Sequence, residues 1–472
     1  MNGIRKEVFV LFAVLLLAGC AVQRYKPAPI VPGLTASQFE SRDLADPGLS
    51  AFAQTILGHP LSPWPPKAWD LQTLSLAAWY FNPALNSVRA RIAATDAAQV
   101  TAGARPNPSL NISPGIPSPY LLTLDFAFPI ETAHKRMHRL QVARRLGDAA
   151  RFDLADTAWT ISSAVRTALL NHLLATRSVQ LFRSEAKIRQ DQISILDQIV
   201  SAGESSRQSD DAARIELART HGAIVAAEGQ VADTRAALSA AIGVPVAALQ
   251  SLNFSWPDLD APPGAQSLLP ADIQRQAILN RLDLRRSLAQ YAAAEAALQL
   301  EIAKQYPDLT IGPGYTYEET HSFFTLGLST VIPLFNRNQG PIAEAEAHRQ
   351  EAAALFLERQ AQVISRSERA LAVYTAALKE LDESDSLIRL QEAQSQILQQ
   401  AISAGTDTRL SLDNAEIQNW TLARARMDAL ARAQKALGEL ADALQRPLDS
   451  GGLFTITPES PGLLGPSKNL KR

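Results

Sequence analysis

The residues able to do chemistry are few and far apart. Cys20 is the only cysteine, so no disulfide forms within the chain and one thiol is left whose role has to be found. The histidines, His59, His134, His138, His172, His221, His321 and His348, are scattered. His134 and His138 have the i, i+4 spacing of two ligands on one helix face. No carboxylate or cysteine joins them in a ligand pattern, and Lys135 and Arg136 between them would repel a cation. Three methionines, Met1 included, cannot build a thioether ladder for copper. Ser184 and Lys187 form an S-x-x-K without companion motifs, and no phosphate loop or G-x-G-x-x-G occurs. No catalytic centre, metal site or cofactor is expected, so energy for any task must come from a partner.

The bulk composition narrows the class. With 46% hydrophobic and 19% charged residues, and long stretches dominated by Ala, Gln and Leu, the chain suits packed helices rather than disorder. A net charge of -2 leaves no cationic excess for phosphates, which argues against nucleic acid as a partner. At the start, Arg5 and Lys6 precede an apolar run from Val8 to Leu17 that is too short to span a bilayer and reads as a signal peptide. Leu17-Ala18-Gly19-Cys20 resembles the lipobox of bacterial lipoproteins, which implies acylation of Cys20 as the mature N-terminus. Residue 21 is Ala rather than Asp, so the inner-membrane retention signal of such lipoproteins is missing, which points to the outer membrane.

The chain repeats itself at a period of roughly 200 residues, the size of a duplicated unit rather than of a solenoid repeat. The segment from Asn82, NPALNSVRARIAATDAAQVTAGARPNPSLNI, is answered from Arg281 by RLDLRRSLAQYAAAEAALQLEIAKQYPDLTI; SAGESSRQSDDA is answered by SAGTDTRLSLDNA. Residues 1–19 are assigned to the signal peptide and 20–67 to a lipidated, extended segment. The first repeat is 68–250, with strands at about 108–115 and 120–130, and 251–270 is a linker. The second repeat is 271–448, with strands at about 307–318 and 322–334, and 449–472 is a tail. Each repeat reads helix, two strands, very long helix, tight turn, helix. Ile342 to Ala404 holds neither Gly nor Pro and carries apolar residues seven apart at Leu357, Ile364, Leu371 and Leu378, joined by Tyr374, Leu381 and Ile388, a coiled-coil seam. Such a helix runs roughly 90 Å. The first repeat matches it from about Met137 to Ala202, interrupted by Gly147.

The strands alternate. Leu122, Leu124, Phe126, Phe128 and Ile130 share one face against Thr123, Asp125 and Ala127; Phe324, Leu326 and Leu328 oppose Thr325, Gly327 and Ser329. Each hairpin strand has about the 9 to 11 residues that cross a bilayer as β-structure. A membrane sheet must close on itself, and the smallest barrels take about eight strands, so four strands need sister chains; three copies would give about twelve. Soluble hairpins packed on helices have the same periodicity and remain the alternative. On the barrel reading, Asn336-Arg337-Asn338-Gln339-Gly340-Pro341 redirects the chain from the membrane into the long helix, with Pro341 in a first turn where its missing N–H is not needed.

These features together resemble the TolC-type outer-membrane factor family, the exit ducts of tripartite efflux and secretion systems, from about Ala68 to Leu448. VIPLFNRNQGPIAEAEAHR is especially similar to the branch that serves heavy-metal efflux pumps of the resistance-nodulation-division class; the first repeat's FAFPIETAHKRMHRLQVAR lacks the Asn-Arg-Asn-Gln-Gly. The resemblance implies a mainly α fold with a membrane β-barrel: a homotrimer with a twelve-stranded outer-membrane barrel above a long α-helical barrel. It further implies a periplasmic adaptor and an inner-membrane pump as partners, with no enzyme activity. The turns at Gly203, Glu204 and Ser205 and at Gly405 and Thr406 become adaptor-contact tips. The helix after the second turn lines the closed end, where Asp407, Ser411 and Asn414 stand at i, i+4 and i+7 and three copies would set polar rings. Some family members carry acidic residues at the positions of Ser411 and Asn414, so a strongly anionic gate does not carry over. A coiled-coil scaffold or adaptor lipoprotein of the periplasm is the other functional class that fits.

Overall fold

Prolines that look like helix breakers start helices here. The computed structural model describes residues 24–116, 121–203, 206–265, 268, 270–448, 456–457 and 463; Cys20, Glu204, Ser205 and most of the 449–472 tail lie outside them. The chain divides into two units, Met1–Arg42 and Asp43–Arg472. In the first, α1 (Pro32–Glu40) opens on its proline and buries nothing. In the second, α2 (Pro47–Leu57) has Pro47 in its first turn, where the missing N–H costs no bond, and Asp46 caps it by accepting from the Gly48 N–H at 2.7 Å. The expected extended stretch 20–67 therefore holds two helices.

The duplicated unit then follows. In the first repeat α3 (Leu71–Phe81) starts on a reciprocal Asp70–Thr73 capping box, and α4 (Pro83–Gly103) starts on Asn82 and Pro83. The strands β1 (Ser109–Gly115) and β2 (Leu121–Ile130) lead into α5 (Lys135–Ser201) and α6 (Arg207–Ile242). In the second, α7 (Pro270–Asn280), α8 (Leu282–Ala303), β3 (Leu309–Glu318), β4 (His321–Thr330), α9 (Gln339–Ser403) and α10 (Arg409–Leu444) come in the same order. With 67 and 65 residues, α5 and α9 each run about 100 Å. α5 passes through Gly147 without a break, and a Cβ there would lie 2.8 Å from the Gln99 amide of α4, so the glycine admits a close helix approach rather than a turn. No helix among the described residues is long and apolar enough to cross a membrane.

The four strands form one antiparallel sheet in the order β1-β2-β3-β4, so the two repeats meet at the β2–β3 pair. β4 ends at Thr330 rather than Leu334: Pro333 has no N–H for a ladder, and the Leu334 N–H folds back onto the Ile332 carbonyl at 2.9 Å.

Each repeat has its own core beside the middle of its long helix. The first gathers Trp69, Leu74, Trp79, Leu154, Leu169 and Leu238, with the Trp79 indole donating to the Ala158 carbonyl at 3.1 Å and the Ser162 hydroxyl at 2.9 Å. The second centres on Tyr374, Leu430, Leu437 and Leu440, covered by Ile273 and Ala277 of α7. The seam of α9 differs from the expected one. The buried line is Val363, Ser367, Ala370, Tyr374, Ala377 and Leu381, while Leu371 and Leu378 are half-buried beside it and Leu357 is exposed. Small residues let α10 approach closely along the stripe that holds Tyr374 and Leu381, and the larger leucines flank it.

Candidate functional site

Three places on the second unit decide what it can do: the sheet, the joint below it and the tips. In the sheet, register sorts the side chains. Leu110 faces Phe126, Leu124 faces Tyr315, Phe128 faces Ile311, Tyr315 faces Phe324 and Ile311 faces Leu328, all on one face. Asn111, Ser113, Thr123, Asp125, Thr316, Thr325 and Ser329 take the other, where Gly314 is needed because a Cβ would meet Thr325 Oγ1 at 2.4 Å. Among the described residues neither β1 nor β4 pairs on its outer edge. β4 is exposed throughout, with Phe324 at 83% and Leu326 at 77% of their full areas. A large contiguous apolar face beside unpaired strand edges marks a surface meant for hydrocarbon or another chain.

The joint is built by residues that no local pattern singles out. Lys135 is buried at the start of α5, and its ammonium donates to the Tyr306 carbonyl at 2.6 Å and to Asp308 Oδ1 at 2.7 Å. The Thr132 N–H donates to the same carboxylate at 2.9 Å. Arg139, paired with Glu131, donates to the Ala102 and Ala104 carbonyls at 3.2 Å, and Arg136 donates to Gly103, so α5 caps the C-terminal carbonyls of α4. In the second repeat Asn338, in a left-handed conformation at φ 62°, donates to the carbonyl and carboxylate of Glu301 at 2.8 and 2.9 Å. Each long helix thus leaves the sheet at an angle fixed by hydrogen bonds to α4 or α8. The neighbouring His134 serves as the left-handed cap of α5, and among the described residues no group of three or more His, Cys, Asp or Glu is placed to hold a metal ion.

At the tips, α5 turns into α6 through Gly203 (φ +79°) and α9 into α10 through Gly405 (φ +74°), the left-handed conformation that glycine adopts without strain. Thr408 caps α10, and Asp407 accepts the Thr408 N–H at 2.7 Å. The Ser411 hydroxyl, then that N–H, hold the exposed Asp407 carboxyl below the usual range. Asn414 accepts from Gln192 of α5 at 2.8 Å. Asp407, Ser411 and Asn414 line one cavity of about 960 Å³, with Gln192, Glu216 and Gln391 of the three other long helices. Asp413 is fully buried, bonded by Arg409 at 3.0 Å through one oxygen and unpartnered at the other. Burial, against the pull of Arg409, pushes its carboxyl up. Between tip and core, Arg424 of α10 pairs with buried Glu185 of α5, and Arg177 pairs with Asp260 of the linker at 2.6 Å.

Residues 78–244 match the family model described as outer membrane efflux protein. The chain is similar to the cobalt-zinc-cadmium resistance protein CzcC of Cupriavidus metallidurans, with 28% identity over 58% of this chain and 64% of that protein. It is also similar to the pyoverdine export outer membrane protein OpmQ of Pseudomonas putida, with 24% identity over 63% of this chain and 65% of OpmQ. Both alignments span just under two thirds of those relatives. In fold it matches the solved outer-membrane channel OprN with a TM-score of 0.64 at 17% identity, covering 92% of this chain and all of OprN. The stretch matched by the outer membrane efflux protein model thus includes β1 and β2 and the first of the two duplicated helical hairpins, and the channel likeness extends in fold over nearly the whole chain.

Proposed function

We propose that this protein is the outer-membrane exit duct of a tripartite efflux system, a passive homotrimer engaged by a periplasmic adaptor and an inner-membrane pump of the resistance-nodulation-division class. The observation that carries the reading is the four-stranded sheet with an apolar face and two open edges. In hydrocarbon each unpaired edge group costs several kcal/mol, so β4 of one copy pairs with β1 of the next until twelve strands close. The long helices then wall a water-filled tunnel, which needs polar lining and a constriction rather than a reactive centre. Asp407, Ser411 and Asn414 form that constriction, Gly203 and Gly405 mark the adaptor-contacting turns, and Cys20 carries the lipid anchor. A coiled-coil scaffold would leave the open sheet without a purpose.

The decisive measurement is heat-modifiable migration of a trimer from outer-membrane fractions, with ion conductance after reconstitution into planar bilayers; a salt-extractable monomer without conductance would refute the duct. Cargo is proposed to be metal cations or small toxic compounds, supported by the likeness to CzcC. Loss of the protein is expected to raise sensitivity to cobalt, zinc or cadmium, and unchanged tolerance to all three would remove the metal reading. Cys20→Ser is expected to abolish palmitate labelling.

A further inference from the structure

The two repeats differ where one helix ends against the next. In the first, α6 stops at Gly243, and a Cβ there would lie 3.1 Å from the Cα of Asn82, so the two backbones close directly on each other. In the second, Gln445 and Arg281 occupy the matching positions, and a cavity of about 500 Å³ opens beside them between α5, α8, α9 and α10. Gln445 accepts the Leu282 N–H and donates to Asp156, both at 2.6 Å, while Arg281 donates to the Asp442 and Ala443 carbonyls at 3.3 and 2.9 Å.

The carboxylates in this cavity already have donors. Asp442 accepts from the Trp159 indole at 2.9 Å and the Ser163 hydroxyl at 2.7 Å. Asp283 holds Arg281 through both oxygens at 2.9 and 2.6 Å. Asp156 accepts from Gln445, and Arg286 is taken by Asp153 at 2.5 Å. What remains is donor capacity. Arg359 and Arg366, two turns apart on α9, line the cavity, and among the described residues neither makes an ion pair within 4.0 Å. Two guanidiniums lining a recess whose carboxylates are already bonded, with the Arg359 charge acting on Asp283 from beyond ion-pair distance, match an oxygen anion that takes paired N–H donors.

We propose that the recess between the end of α10 and the start of α8 binds an oxyanion, the phosphate or carboxylate group of a small molecule, through Arg359 and Arg366. The proposal does not depend on the duct reading, because it is tested by binding to the purified full-length protein in detergent. Titration calorimetry at constant ionic strength, with inorganic phosphate and separately with citrate as probes, is expected to show saturable binding. Tighter phosphate binding would assign the site to phosphoryl groups and tighter citrate binding to carboxylates.

Arg359→Gln combined with Arg366→Gln is expected to weaken binding at least about tenfold, and Arg→Lys at both positions less, because the charge stays and the paired donors go. Gln362→Glu keeps both arginines and places a negative charge in the same recess, and it too is expected to weaken binding. Circular dichroism and oligomer migration report folding for each variant. Absence of saturable binding by the wild-type protein overturns the proposal, as does unchanged affinity in either the folded double variant or Gln362→Glu.

Discussion

α5 and α9 hold the same place in the two repeats and are almost equal in length, yet they are buried differently. α5 buries residues from Ala143 to Leu196 because α4, α6, α8 and α10 all pack on it. Among the described residues α9 packs on α7, α8 and α10, with Tyr374 also reaching the Pro263 carbonyl of the linker, and it buries Ala345 and the short line from Val363 to Leu381. Leu355, Leu387, Leu390 and Ile397 are left in the open, Leu390 at 70% of its full area. Duplication supplied the helix twice, but within one chain the second copy is covered over a shorter length than the first. The exposed flank of α9 is where the neighbouring copy belongs in the proposed trimer, as the free edge of β4 is in the sheet.

Cutting side chains on each helix breaks or sharpens that comparison. Leu169→Ala, on the buried face of α5 in the first core, is expected to cost about 3 kcal/mol through lost burial and the cavity left behind. Leu390→Ala is expected to stay within about 0.5 kcal/mol for the isolated subunit and to show instead as a lower trimer fraction on native gels. Equal thermal losses in the monomer would mean that α9 is covered within its own chain.

The ion pairs that α10 makes with the two helices repeat the contrast. Arg424 reaches Glu185 on α5, whose carboxylate is buried and also takes Arg189 at 2.8 Å. Arg432 reaches Glu380 on α9 in the open, at 2.6 Å. Glu185→Gln is expected to cost on the order of 3 kcal/mol, because it leaves two half-buried guanidiniums short of their charge, and the loss should be insensitive to salt. The bond from Arg432 holds the Glu380 carboxyl below its ordinary range, but water screens it. Glu380→Gln is expected to move thermal stability little, and any change should fade as salt is raised. A Glu380 variant as damaging as the Glu185 one would contradict the burial difference.

Much of this architecture could be read before any coordinates. The absence of Gly and Pro from Ile342 to Ala404 leaves the backbone no reason to stop being helical, and alternation in YLLTLDFAFPI leaves it no way to bury one face as a helix. What escaped depends on which neighbour a residue meets. Two apolar stripes lie side by side on α9, and periodicity cannot tell that the one with Ala370 and Ala377 is packed while Leu357 is not. The stretch 20–67 reads as extended because proline suits a helix only in its first turn, and its lack of sustained period does not show that Pro32 and Pro47 stand there. At the tips, spacing alone puts Asp407, Ser411 and Asn414 on one face, and they do line one cavity. Lys135 and Asp308, more than 170 residues apart, carry no such signal, and the burial of Asp413 follows from helix crossing rather than from sequence period.

The smallest effect lies at the tip, where α10 turns Asp413 into its packing and leaves Asp407 in water. Burial holds the Asp413 carboxyl above the 3.8 it has in the open, despite Arg409, and Asp191 of α5 adds to the rise. The folded state therefore binds this proton more tightly than the unfolded chain. The stability Asp413 lends is complete below 3.8 and declines as pH rises through its raised folded value. Above that value the charged carboxylate, with one oxygen unbonded, is a standing cost. Asp413→Asn keeps an acceptor for Arg409 without the charge, and near pH 7 it is expected to stabilise the start of α10 slightly, a gain that vanishes below 3.8. Asp407 runs the other way: its carboxyl is held down, so what it lends is present above its unfolded value and lost as pH falls through the lower folded one. Hydrogen exchange of the amides in 409–420, followed against pH, separates the two aspartates. If Asp413→Asn speeds exchange at pH 7, the buried carboxylate supports the tip, and α10 gains from its contact with α5 even where that contact leaves a charged oxygen unbonded.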